Sequence, residues 1–170
     1  MIIRSYKNIS PKIDETAFIA ENAAIIGDVK IGAESSVWYN CTLRGDVNNI
    51  IIGNRTNIQD GTVIHVSSTT QGTYVGDNVT VGHMALLHAC TIGDYSFIGM
   101  QACVMDDTII EPFAMVGAGS LVLTKQHIKS RQLWMGRPAK YVRDLTDDEV
   151  EFLKFSATRY VKFSRGYMTE

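Results

Sequence analysis

Three of the four histidines in this chain, His65, His83 and His88, fall within 24 residues, in stretches that otherwise read as core: "TVIH" and "VTVGHMALLHAC". Imidazole is the commonest protein ligand for a divalent metal, and three of them leave a coordination position open, as catalytic zinc sites do. Whether these three can meet depends on the element that carries them. Spacing alone suggests that His83 and His88, five apart, chelate together along the chain, and the wider organisation of the sequence corrects that impression.

At 170 residues, 45% of them hydrophobic, the chain is long enough for one well-buried domain and too short for two large ones. A formal charge of −2 gives no broad electrostatic reason to bind nucleic acid or an anionic membrane, so neither partner is expected. No apolar run approaches the ~20 residues that a membrane span needs, and "MIIRSYKNISPK" has no long apolar segment or small-residue cleavage site, so a cytoplasmic location is expected. Cys41, Cys90 and Cys103 are widely spaced and odd in number, which suggests neither a disulfide framework nor a thiolate metal site.

The element is a repeat. Steps of six from Ile13 reach Ile19, Ile25, Ile31, Val37 and Leu43; a three-residue insertion leads to Ile52, Ile58 and Ile64, and a five-residue insertion to Val75, Val81 and Leu87. One short step then reaches Ile92, and the series runs on through Ile98, Val104, Ile110 and Val116 to Val122. The residue two before each is mostly small, as at Ala23, Cys41, Thr62, Ala85 and Cys90. Residues two apart on a strand share a face, so a large and a small side chain point together into a narrow interior. Glycine often follows the aliphatic, where backbone packs closely. Short strands with a corner every six residues and no intervening helix describe an all-β solenoid of parallel strands, three per coil, with about six coils. This pattern resembles the hexapeptide-repeat proteins, which implies a left-handed parallel β-helix. The period is read as ending at Val122, giving a repeat domain over 1–130 and an extension over 131–170. In the extension, Thr146 and Glu149 read as a capping box, and Val150, Leu153, Ala157, Tyr160 and Val161 fall at helical spacing, predicting a C-terminal α-helix packed on the prism.

Three steps make a coil, so Leu43, Ile64 and Leu87 share a face and the residues after them, Arg44, His65 and His88, form an outward column. His65 and His88 then lie on adjacent coils about 5 Å apart, close enough to share one metal. His83, two after Val81, lies at a different corner in the column of Asp60, and a neighbouring prism has to bring its own His83 across. Three such heterologous contacts close a ring, which predicts a homotrimer with a three-histidine site at each subunit boundary.

"RGDVNNIIIGNRTNIQDGTVIH" followed by "VGDNVTVGHMALLHACTIGDYSFIGM" resembles the γ-class carbonic anhydrase family, especially its short bacterial members, over nearly the whole chain. The resemblance implies that His65, His83 and His88 bind zinc or iron(II) at trimer interfaces, and that hydroxide generated there converts CO2 reversibly to bicarbonate. It further implies that Arg44 and Asp46 help bind bicarbonate and tie subunits together. Asn57, Gln59 and Asp60 match the family's "NxQD", in which the glutamine contacts the metal-bound water or substrate and the aspartate pairs with the arginine across the interface. Tyr160 matches a tyrosine that reaches towards the metal from the C-terminal helix. One departure stands out: strongly active members carry a glutamate-bearing loop between the first two histidines, whereas "VSSTTQGT" contains no acid. Two other readings stay open beside carbonic anhydrase. The fold and "GRPAK" also resemble hexapeptide acyltransferases and acyl-CoA thioesterases. A non-catalytic metal- or siderophore-binding protein would need no shuttle loop.

Overall fold

The computed structural model describes residues 1–169. Each of the three prism faces is a parallel ladder in which inward aliphatics stack in register, coil upon coil. The histidine face stacks Ile25, Leu43, Ile64, Leu87, Val104 and Val122, with the half-exposed Ile3 paired to Ile25 at its end. A second, open face stacks Ile13, Ile31, Ile52, Val75, Ile92, Ile110 and Ile128. The third face stacks Ile19, Val37, Ile58, Val81, Ile98, Val116 and Trp134. Of the series read from sequence, only Ile13 and Ile19 at the first coil are less than fully buried, and both pack against the core. The molecule is a left-handed parallel β-helix of about seven turns.

That turn count corrects the six coils expected from sequence. The period does not stop at Val122: Ile128 pairs with Ile110, and the strand Gln132–Gly136 places Trp134 over Val116. The signal fades there because the position two before Ile128 is Gln126 and the last rung is an indole, neither of which fits the small-then-aliphatic rule.

Corners and insertions position the site. At most corners the residue three after the inward aliphatic takes positive φ, as at Asn40, Asn78, Met84, Gln101 and Lys125, and only Gly61 and Gly119 among these are glycine. Each non-glycine left-handed residue costs on the order of 1 kcal/mol. The corner N–H groups offset that cost by bonding the coil before, as Met84 N–H does to Asp60 O (2.8 Å) and Gln101 N–H to His83 O (2.8 Å). The three-residue insertion lies within the long strand Thr42–Ile52, which turns the corner from the histidine face to the open face against Ala24–Ile31. At that bend a Cβ on Gly45 would sit 2.4 Å from Asp28 O, so backbone packs on backbone and Asp46 is set beside His65.

The C-terminal helix α1 (Asp147–Met168) begins at the expected capping box, Thr146 with Glu149. The two guanidinium nitrogens of Arg143 donate to Glu149, each at 2.8 Å, and with the Thr146 bond they pull its carboxyl down to about 2. The helix buries Val150, Leu153, Ser156, Ala157 and Ser164 against the third face, hereafter the helix face, with Leu133, Leu145, Phe97, Phe113 and Met115 around its first turns. No helix among the described residues is long and apolar enough to cross a membrane.

Candidate metal centre

His65 and His88 end the strands Val63–His65 and Leu86–His88, which pair rung on rung with His88 opposite His65. Their ring centroids lie 5.2 Å apart, and His65 Nδ1 faces His88 Nε2 at 3.2 Å. Two imidazole nitrogens on one tetrahedral metal, with bonds of ~2.0 to 2.1 Å, sit about 3.3 Å apart, so the pair fits a shared divalent ion without rearrangement.

The far nitrogen of each ring is held by a carboxylate. His65 Nε2 lies 3.0 Å from Asp46 Oδ1, and His88 Nδ1 lies 2.6 Å from Asp106 Oδ1. Such partners fix the ring and raise its basicity as a ligand. Arg44 donates to the other oxygen of Asp46. Burial alone would raise the Asp46 carboxyl, but the bonds from His65 and Arg44 outweigh it and hold the group below its ordinary value. Both insertions of the repeat brace this pair. Asn48 Nδ2 donates to Ser67 O (3.1 Å) in the loop after His65, Thr73 Oγ1 to His65 O (2.6 Å), and Gln71 Nε2 to Ala89 O (2.9 Å) just beyond His88.

His83 stands apart from them, with its Nδ1 2.8 Å from Asp60 Oδ2. It lines a cleft of about 580 Å³ together with Asp60, Tyr160, Trp38, Tyr39 and Tyr167. Burial first, then the charge of Asp60, pushes the Tyr160 hydroxyl up, so it is a neutral donor at physiological pH. Gln59 lines an adjoining cleft of about 370 Å³ with His83, Tyr160 and Ser156, and donates from Nε2 to Asn57 Oδ1 (3.0 Å). The residues singled out from sequence thus form two groups on one chain: Arg44, Asp46, His65 and His88 on the histidine face, and Asn57, Gln59, Asp60, His83 and Tyr160 at the helix face and its corner. Among the described residues, no three His, Cys, Asp or Glu side chains of a single chain converge as a metal site.

Asp106 escaped the sequence reading. It lies 18 residues after His88, three hexapeptides along, and a search of the next coil for carboxylates near the histidine column is the signal that finds it. The thiols play no part in this chemistry. Cys41 and Cys90 are buried at inward positions, and burial pushes Cys41 up to about 11 and Cys90 up as well.

No protein-family profile matches the chain. Individual relatives do. It is 48% identical over 166 residues to the mitochondrial gamma carbonic anhydrase 2 of Arabidopsis thaliana, a match covering 95% of this chain and 60% of the plant protein, so the chain spans about three fifths of that relative's length. A carbonic anhydrase of Geobacillus kaustophilus is 41% identical over 166 residues, covering 98% of this chain and 91% of that one. Among solved structures, a hexapeptide transferase family protein of Anaplasma phagocytophilum superposes with a TM-score of 0.94 at 48% identity, covering 98% of both chains. With relatives at 48% and 41% identity matched over 95% and 98% of this chain, the chain belongs to the γ-class carbonic anhydrase family.

Proposed function

We propose that the protein catalyses the reversible hydration of CO2 to bicarbonate at a divalent metal, zinc or iron(II), held between subunits of a homotrimer by His65 and His88 of one subunit and His83 of the next. The observation that carries this reading is the 3.2 Å approach of His65 Nδ1 to His88 Nε2, with a carboxylate behind each ring. Placement of His83 at a different corner, on its own carboxylate, supports sharing between subunits.

When bound, a divalent metal supplies the Lewis acidity that makes water a nucleophile at about pH 7. This chain's own residues do the rest. Gln59 orients the nucleophile, and Arg44, beside His65 through Asp46, holds the anionic product by charge-assisted hydrogen bonding. Asp60 pairs with the neighbouring subunit's guanidinium and keeps His83 aimed across the boundary. Tyr160 closes the cleft over His83 and offers a neutral O–H there. The loop after His65 carries no acid, so proton export runs through Tyr160 or through buffer, and turnover rises with buffer concentration.

The test is metal analysis of anaerobically purified protein combined with stopped-flow CO2 hydration by wild type and His88→Ala. One metal per subunit, with hydration lost in the variant, is the expected result. Metal without hydration points instead to a metal-binding protein. The transferase name of the Anaplasma structure supports a second reading, acyl transfer from an acyl-CoA; turnover of acyl-CoA by the metal-free protein would establish that one and overturn the first.

A further inference from the structure

The amide of Gln59 has two ends of opposite character, and its use at the site depends on which end faces the cleft. Four buried side chains in a row decide this. Gln59 Nε2 donates to Asn57 Oδ1 at 3.0 Å, and Asn57 Nδ2 donates to Thr80 Oγ1 at 3.0 Å and to the backbone carbonyl of Val79 at 3.3 Å. Thr80 Oγ1 meets Ser156 Oγ of helix α1 at 2.9 Å. None of the four is more than 6% exposed.

A backbone carbonyl can only accept, so the Val79 oxygen admits the NH2 end of Asn57 and rejects its oxygen. Asn57 Oδ1 is therefore turned towards Gln59, where it in turn admits only an NH2 group. Gln59 Oε1 is left as the free end. We propose that the Val79 carbonyl sets the polarity of the Asn57 and Gln59 amides and that Thr80 and Ser156 are positioning residues that hold Asn57 locked on that carbonyl, so that Gln59 Oε1, an acceptor, is the end left free for the site. Helix α1 is then part of the site's wiring, since Ser156 supplies the outermost contact of the row. The lock follows from the hydrogen bonds alone. Its use, to hold the O–H of the nucleophile at Gln59 Oε1, rests on the proposed hydration reaction.

The experiment measures side-chain amide proton exchange by NMR in the isotope-labelled full-length protein, for wild type, Thr80→Val, Thr80→Ser and Ser156→Ala. The Gln59 signals are assigned by their loss in Gln59→Glu. Thr80→Val keeps the shape and removes the hydroxyl, and the loss of one neutral hydrogen bond predicts exchange about fivefold to tenfold faster at both Asn57 and Gln59. Thr80→Ser returns exchange to the wild-type rate, which a general loosening of the fold would not do, and Ser156→Ala gives a smaller acceleration at the same two residues. In a hydrating protein, Thr80→Val also lowers kcat more than it raises KM. Unchanged Asn57 and Gln59 exchange in Thr80→Val overturns the lock, whatever the hydration rate. Faster exchange in a protein that hydrates no CO2 upholds the lock and removes the reaction instead.

Discussion

The histidine face and the helix face are built on the same repeat, with six inward aliphatics stacked in register on each, yet their outward columns have opposite fates. On the histidine face the outward residues of the middle coils are Arg44, His65 and His88, and among the described residues no helix lies over them. Beside that column, Val63 and Leu86 stay 40% and 37% exposed. On the helix face the outward column, from Phe18 through Ser36, Asn57, Thr80 and Phe97 to Met115 and Leu133, lies along α1 and carries no large exposed residue. One face is completed within the chain. The other presents two imidazoles beside half-exposed apolar side chains, as the proposed shared site requires of each subunit.

Four changes sharpen that contrast. His88→Ala has the largest expected effect: elemental analysis finds the metal lost from every site, while thermal unfolding moves little because the side chain is outward. Leu153→Ala acts on the other face, where the leucine is 2% exposed beneath α1. A buried truncation of this kind costs about 2 to 5 kcal/mol in denaturant unfolding. Its metal content stays near wild type if the histidine pair is independent of the helix. Asp106→Asn tests the carboxylate behind His88, and loss of such a partner lowers metal affinity about 10- to 100-fold in a chelator competition. Glu149→Gln is the mildest. Arg143 and Thr146 hold the Glu149 carboxyl at about 2 against an ordinary 4.5, so its contribution is complete above pH 4.5 and is lost as pH falls towards 2. The stability gap between wild type and variant in urea therefore closes across that window and stays constant above it.

The prism was legible because its interior is narrow. Only an aliphatic and a small residue fit each rung, so eighteen positions carry the same chemistry and a period of six shows through two insertions and one short step. Alignment of His65 with His88 followed by counting, since strand registry converts sequence distance into height. What lay beyond reading depends on contacts between coils that no period encodes. Asp106 reaches His88 from the next coil, and its neighbour Asp107, with the same charge, does not. The Asn57–Thr80 contact is a rung of the helix face, yet Ser156 joins it from 76 residues away, which helical spacing in α1 could not reveal. At the far end, Ile128 and Trp134 extend the prism although the small-residue rule has lapsed.

The central claim is that one chain carries two unlike halves of a site completed by its neighbour, and subunit mixing tests it most directly. His83→Ala keeps the His65–His88 half and His88→Ala keeps the His83 half, so neither variant alone binds metal at the site. Unfolded together in equal amounts and refolded as cyclic trimers, six of every eight random assemblies contain one boundary with both intact halves, which restores about a quarter of the wild-type metal per subunit. Recovery near that fraction, absent when either variant is refolded alone, is the result expected. No recovery from a mixture that has formed trimers would contradict the shared site.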